Sequence, residues 1–140
     1  MEVNFAIKNN TAALNFKGIH IDLHNNFNFV GLDYQLPIRE IHLKWVKSMG
    51  DWVGPNEFSS LILIHRNVTF FKVIEQDENS TPEDDSCLGE ITFFPSSARD
   101  FIDSYLPQEN PKENDDIKYF FEGGLQIIIH CKQIHLEAYK

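Results

Sequence analysis

The chain has 140 residues, of which 42% are hydrophobic and 13% aromatic. That is enough apolar surface to offset the conformational entropy of folding, so a globally disordered protein is excluded and a single domain over residues 1–140 is expected. Twelve basic against 21 acidic residues leave a formal charge of -9, the reverse of the footprint that phosphate neutralisation requires, which argues against nucleic acid and anionic membrane surfaces as partners. No apolar run approaches the roughly 20 residues of a membrane-spanning helix. Met1 to Phe5 also lacks the basic-then-apolar order of a secretory leader, so the expectation is a soluble, cytoplasmic protein.

Twelve phenylalanines tilt the chain toward sheet, because aromatic side chains suit a pleated, half-buried surface. Val3, Phe5 and Ile7 alternate with polar neighbours, Asn9-Asn10 offers a turn, and Ala12, Leu14 and Phe16 alternate again, which predicts a hairpin. After Gly18, the residues Ile19, Ile21 and Leu23 alternate with His20, Asp22 and His24 in the cleanest strand of the chain. Asn25-Asn26 repeats the turn signal. From Phe27 to Leu36 the apolar parity switches near Gly31, which predicts a bulge or bend.

In Ile38 to Lys47, Ile41, Leu43 and Trp45 fit a strand while Ile38, Ile41 and Trp45 fit a helix, and strand is favoured; Met49 to Phe58 reads as a loop carrying Trp52, and Leu61 to Ile64 as a strand covered on both faces. His65-Arg66-Asn67 is expected to turn the chain into a strand from Val68 to Ile74. Residues 75–86 hold Glu75, Asp77, Glu78, Glu83, Asp84 and Asp85 with no basic residue, a solvated loop. Ile91 to Phe93 is a short strand. Ser96 as N-cap, with Ala98, Phe101, Ile102 and Tyr105 at helical spacing, predicts one short helix ending before Pro107. Gln108 to Asp116 is a second polar loop. Ile117 to Phe121, a Glu122-Gly123-Gly124 turn and Leu125 to Cys131 form the strongest hairpin signal, and the parity switches once more near Lys132-Gln133. The fold class that follows is mainly β: a β-sandwich or partly open barrel of about eight to ten short antiparallel strands with one short helix.

Few constellations in the chain carry chemistry. His20, Asp22 and His24 share one side of a strand, with neighbours in the trio about 7 Å apart, so two of them could ligate one divalent cation. The two cysteines, Cys87 and Cys131, lack C-x-x-C spacing, and Cys131 reads as a small core hydrophobe. His130 and Cys131 project to opposite faces of one strand. The acidic loop places Asp77, Asn79, Thr81, Glu83 and Asp85 in the alternation of a calcium-binding EF-hand loop, but Pro82 stands where the sharp turn needs glycine and Leu88 where a bidentate glutamate belongs. There is no G-x-S-x-G and no phosphate-cradling glycine loop. No cofactor and no enzymatic activity are expected. Tyr34, Trp45 and Phe58 read as core aromatics, whereas Trp52, beside Gly50, Gly54 and Pro55, reads as exposed for binding.

The stretch from Leu61 to Phe93, with its turn at Arg66-Asn67, its acidic loop and Cys87-Leu88-Gly89-Glu90-Ile91, together with Phe120-Phe121-Glu122-Gly123-Gly124-Leu125, resembles small uncharacterised bacterial β-rich proteins. Some acidic proteins of that general look are immunity partners of polymorphic toxins. The resemblance implies a non-enzymatic interaction protein of bacterial origin that meets a basic partner through loops 75–86 and 108–116, with Asp77, Glu78, Glu83, Asp84, Asp85 and Trp52 as the contact residues. The alternative reading is a small-ligand or metal-binding sandwich or barrel using His20, Asp22 and His24. Burial of an exposed strand edge in a homo-oligomer is a third expectation.

Overall fold

The computed structural model describes residues 1–8, 12–101 and 105–140, and they form twelve strands in three sheets. The strands are β1 (Glu2–Val3), β2 (Ala6–Lys8), β3 (Ala13–Phe16), β4 (Ile19–Asp22), β5 (Phe27–Gln35), β6 (Glu40–Lys47), β7 (Ser60–Arg66), β8 (Phe70–Ile74), β9 (Leu88–Pro95), β10 (Asp115–Phe121), β11 (Gln126–His130) and β12 (Gln133–Tyr139). One sheet has the order β1-β12-β7-β6-β5, a second β8-β11-β10-β9 and a third β2-β3-β4. The chain is mainly β and sandwich-like, with no closed barrel.

The two larger sheets meet through alternate residues of their strands, as period-2 alternation requires when one face is buried. Phe29 of β5 packs on Phe121 of β10 with centroids 4.9 Å apart, Trp45 of β6 on Tyr119 of β10 at 6.1 Å, and Tyr34 of β5 on Phe71 of β8 at 5.3 Å. The third sheet joins the same core through Phe5 against Phe93 and Phe16 against Phe58.

Several expectations hold in detail. The parity switch near Gly31 is a register shift in the β5–β6 pairing between Phe29 and Gly31. The Gly123-Gly124 turn joins β10 to β11 in register from Ile117 with Ile129 to Phe120 with Gln126. Trp45 and Phe58 are buried, and so is Cys131, whose thiol burial pushes up to about 12. The hairpin expected around Asn9-Asn10 exists as the β2–β3 pair, although its turn lies outside the described residues.

Other expectations are corrected. The strands number twelve rather than eight to ten, and one pairing is parallel, β1 with β12, because the first strand lies along the last rather than continuing into β2. His65 is not a turn residue. β7 runs through it to Arg66, and the chain reverses at Asn67, whose φ of 57° is the left-handed conformation that asparagine tolerates. The short helix expected from Ser96 to Leu106 is, among the described residues, only a 3-10 turn at Ser96–Ala98, with Ile102 outside them. The carbonyls of Arg99 and Phe101, which a helix would use internally, accept instead from the Lys118 ammonium at 3.3 and 3.1 Å. Thr92 Oγ1 bonds the backbone N–H and carbonyl of Leu106 in the same way.

The segment after β9 lies over the outer face of the second sheet, where Thr92, Asp116 and Lys118 are fully buried. Asp116 receives a bidentate pair from Arg99 at 2.9 and 2.8 Å and pairs with His130 Nδ1 at 2.8 Å. A buried carboxylate survives only when its lone pairs are filled in this manner.

Between the sheets sits one polar pair. His65 is fully buried; its Nδ1–H donates to the Ile41 carbonyl at 3.0 Å, and its Nε2 accepts from the Tyr119 hydroxyl at 2.8 Å. Burial, which disfavours the charged imidazolium, lowers the His65 pKa from 6.5 to about 4. The folded state therefore binds fewer protons than the unfolded chain between those values, so stability rises with pH across that window. We expect the His65 contribution to be complete above pH 6.5 and to fall by roughly 3 kcal/mol as the pH drops to about 4. Denaturant unfolding of the wild type and of His65→Gln across this range checks it, the variant showing the shallower slope. Tyr119→Phe should cost about 1–3 kcal/mol at neutral pH, because it leaves Nε2 unpaired.

Candidate functional site

The loop after β8 is acidic because six carboxylates and no lysine or arginine lie between residues 75 and 86, yet it is held in place. The Asp77 N–H donates to the Gly123 carbonyl at 2.7 Å and the Ser80 hydroxyl to the same oxygen at 2.9 Å. Residues Pro82–Ser86 form a 3-10 turn, and the Asp84 carboxylate accepts the Thr81 N–H at 3.0 Å. Gly124 permits this docking: its φ is 92°, and a Cβ there would stand 2.6 Å from the Asp77 carboxylate.

Asp77, Glu78 and Glu83 are exposed, whereas Asp84 and Asp85 are half-buried. Burial, together with the charges of Glu75 and Asp84, raises the Asp85 pKa above its ordinary value. The shielded Asp85 Oδ1 has no hydrogen-bond partner. Among the described residues, none of these five carboxylates takes part in a salt bridge. The second acidic loop behaves differently. Asp115 and Asp116 belong to β10 and are buried, Asp115 accepting from Gln108 and from the Lys112 N–H, which removes them from any docking surface and leaves Glu109 and Glu113 exposed.

Trp52 is 68% exposed and yet fixed. Its Nε1–H donates to the Asn25 carbonyl at 2.8 Å, and the indole lies so close over Gly50 that a Cβ there would come within 2.0 Å of the ring. Asn25 belongs to the turn between β4 and β5, the same turn that carries His24.

The metal trio expected on β4 does not assemble as a row. His20 is exposed on β4, opposite Asn15. Asp22 accepts from the Asn25 N–H and its side-chain amide, both at 2.9 Å, and so shapes the turn. His24, beyond the strand end, meets two residues that the sequence does not place near it. Its Nδ1 lies 3.5 Å from Cys87 Sγ, 3.6 Å from Glu122 Oε1 and 2.8 Å from the Leu88 carbonyl. One ligand atom from each of His24, Cys87 and Glu122 lies within 4.8 Å of the others, the one such group of three or more among the described residues.

Three separate pieces of chain build this cluster: the β4–β5 turn, the entry to β9 and the β10–β11 turn. The last two are tied by the Glu122 N–H donating to the Cys87 carbonyl at 3.0 Å. His24 and Cys87 are 63 positions apart, so no local spacing could reveal the pair. A Cys beside a His suggests nucleophilic chemistry, but burial and the neighbouring Glu122 and Asp84 charges push the Cys87 thiol up rather than down. It is therefore a thiol and not an activated thiolate at neutral pH. No protein-family model, curated protein or solved structure matches the chain.

Because the acidic loop rests on the Gly-Gly turn, Gly124→Ala should release it by forcing both a strained φ and a clash with Asp77. Amide hydrogen exchange should show loss of protection at Asp77 and Ser80 while β6 and β7 stay protected.

Proposed function

We propose that the chain is a non-enzymatic interaction protein that docks a basic protein partner through loop 75–86 and Trp52, in the manner of an immunity protein occluding a basic toxin. The observation that carries this reading is the anchored loop whose carboxylates have no counter-charge among the described residues. Like charges gathered on an ordered loop repel one another in the free protein, and a cationic surface removes that repulsion while steering encounter.

Trp52 supplies the second element of a protein interface. A flat apolar ring already held in one orientation loses little conformational freedom on binding, and such rings anchor interfaces far more than their number suggests. Both elements converge on the β4–β5 turn, since Trp52 is bonded to Asn25 while the neighbouring His24 touches Cys87 at the end of the acidic loop.

The test is capture from lysate of the native cell with immobilised wild-type protein and two variants, Asp77→Lys/Glu78→Lys/Glu83→Lys and Trp52→Ala. The expected outcome is a basic protein retained at low salt, released as salt rises, and bound at least about tenfold more weakly by each variant. Equal retention by the triple variant, or no retention at low salt, refutes the reading.

A further inference from the structure

We propose that His24, Cys87 and Glu122 form a divalent transition-metal site, with zinc the best-suited ion and the fourth position open to solvent. The inference goes beyond the docking reading, and either can fail without the other.

The donor set decides the class of ion. One imidazole nitrogen, one sulfur and one carboxylate oxygen are the mixed ligands of zinc, whereas calcium and magnesium take oxygen alone. Geometry agrees with that assignment. Tetrahedral bonds of the usual zinc lengths put nitrogen and sulfur about 3.5 Å apart and nitrogen and oxygen about 3.3 Å apart. The structure holds Nδ1 and Sγ at 3.5 Å and Nδ1 and Oε1 at 3.6 Å. Two of the three donor separations thus lie within a few tenths of an ångström of the tetrahedral values, and all three donors lie within 4.8 Å of one another; seating an ion also turns the imidazole away from the Leu88 carbonyl.

Two of the three ligands have their backbone anchored without the ion. Glu122 is bound through its N–H to the Cys87 carbonyl, and Cys87 through its own N–H to the Asp84 carbonyl at 3.4 Å. Gly89 leaves room for the Glu122 carboxylate, since a Cβ there would approach Oε1 to 3.3 Å. His24 and Glu122 are 39% and 48% exposed, so an ion can enter and a water can complete the shell. The field of loop 75–86 concentrates cations at this end of the molecule.

The proton balance is definite. In the absence of metal, Nδ1–H donates to the Leu88 carbonyl. On binding, the imidazole keeps one proton by carrying it on Nε2, the bond to Leu88 is given up, and the Cys87 thiol releases its proton to solvent.

The experiment is titration of the metal-free, reduced protein with zinc and, in parallel, with cobalt(II), read by calorimetry and by the thiolate-to-cobalt absorption band of a tetrahedral site. We expect one equivalent bound with that band present. Cys87→Ser should abolish the band. His24→Ala and Glu122→Gln should each weaken zinc binding by more than about a hundredfold, beyond the upper end of what losing a supporting contact costs. His20→Ala, on the strand that leads to His24 but outside the cluster, should bind as the wild type does. Far-ultraviolet circular dichroism establishes that each variant is folded, and Glu122→Gln changes only an exposed side chain. Failure to bind one equivalent, or undiminished binding by any of the three cluster variants, overturns the site.

Discussion

Tyr119 stands between the two large sheets, its ring against Trp45 and its hydroxyl on the buried His65, whose other nitrogen is fixed by the Ile41 carbonyl. This contact sets how β10 lies across β6 and β7, since an apolar face alone would tolerate sliding while a buried polar pair does not. β10 is the strand on which the rest of the surface is arranged. At its start, Asp115 and Asp116 gather the long segment that follows β9; at its end, Phe121 leads into the turn that holds Glu122 and receives the acidic loop.

Acidic residues consequently have two fates in one chain. Asp116 is buried on the outer face of the second sheet and satisfied by Arg99 and His130, so its charge is consumed in organising the fold. Loop 75–86 is anchored through its backbone, and among the described residues its carboxylates have no cationic partner, so their charge remains available to what lies outside. Composition treats the two groups alike. Only the second supports a docking surface.

The candidate site was legible in part. Trp52 and the acidic loop could be singled out because tryptophan in a Gly- and Pro-bearing loop, and a run of carboxylates without a basic residue, are local features. His24 could be singled out only alongside His20 and Asp22, because strand alternation was the one relation visible along the chain. Cys87 and Glu122 carried no signal of their own: each sits at the edge of a turn, and neither is at ligand spacing from any histidine. The short helix expected near Ser96 shows the same limitation, since Lys118, distant in sequence, takes the Arg99 and Phe101 carbonyls a helix would have used.

By itself, the sequence determined the mainly β character, the hairpin across Gly123-Gly124, the shift of register near Gly31 and the acidity of residues 75–86. All of these depend on alternation, turn chemistry or charge within a few residues. Tertiary structure alone decided that the first strand pairs in parallel with the last, that His65 is a buried partner of Tyr119 rather than a turn residue, and that His24 meets Cys87 and Glu122. The physical reason is shared. Each of these depends on which sheet faces which, and that choice is made by packing between residues far apart in the chain, where periodicity carries no information.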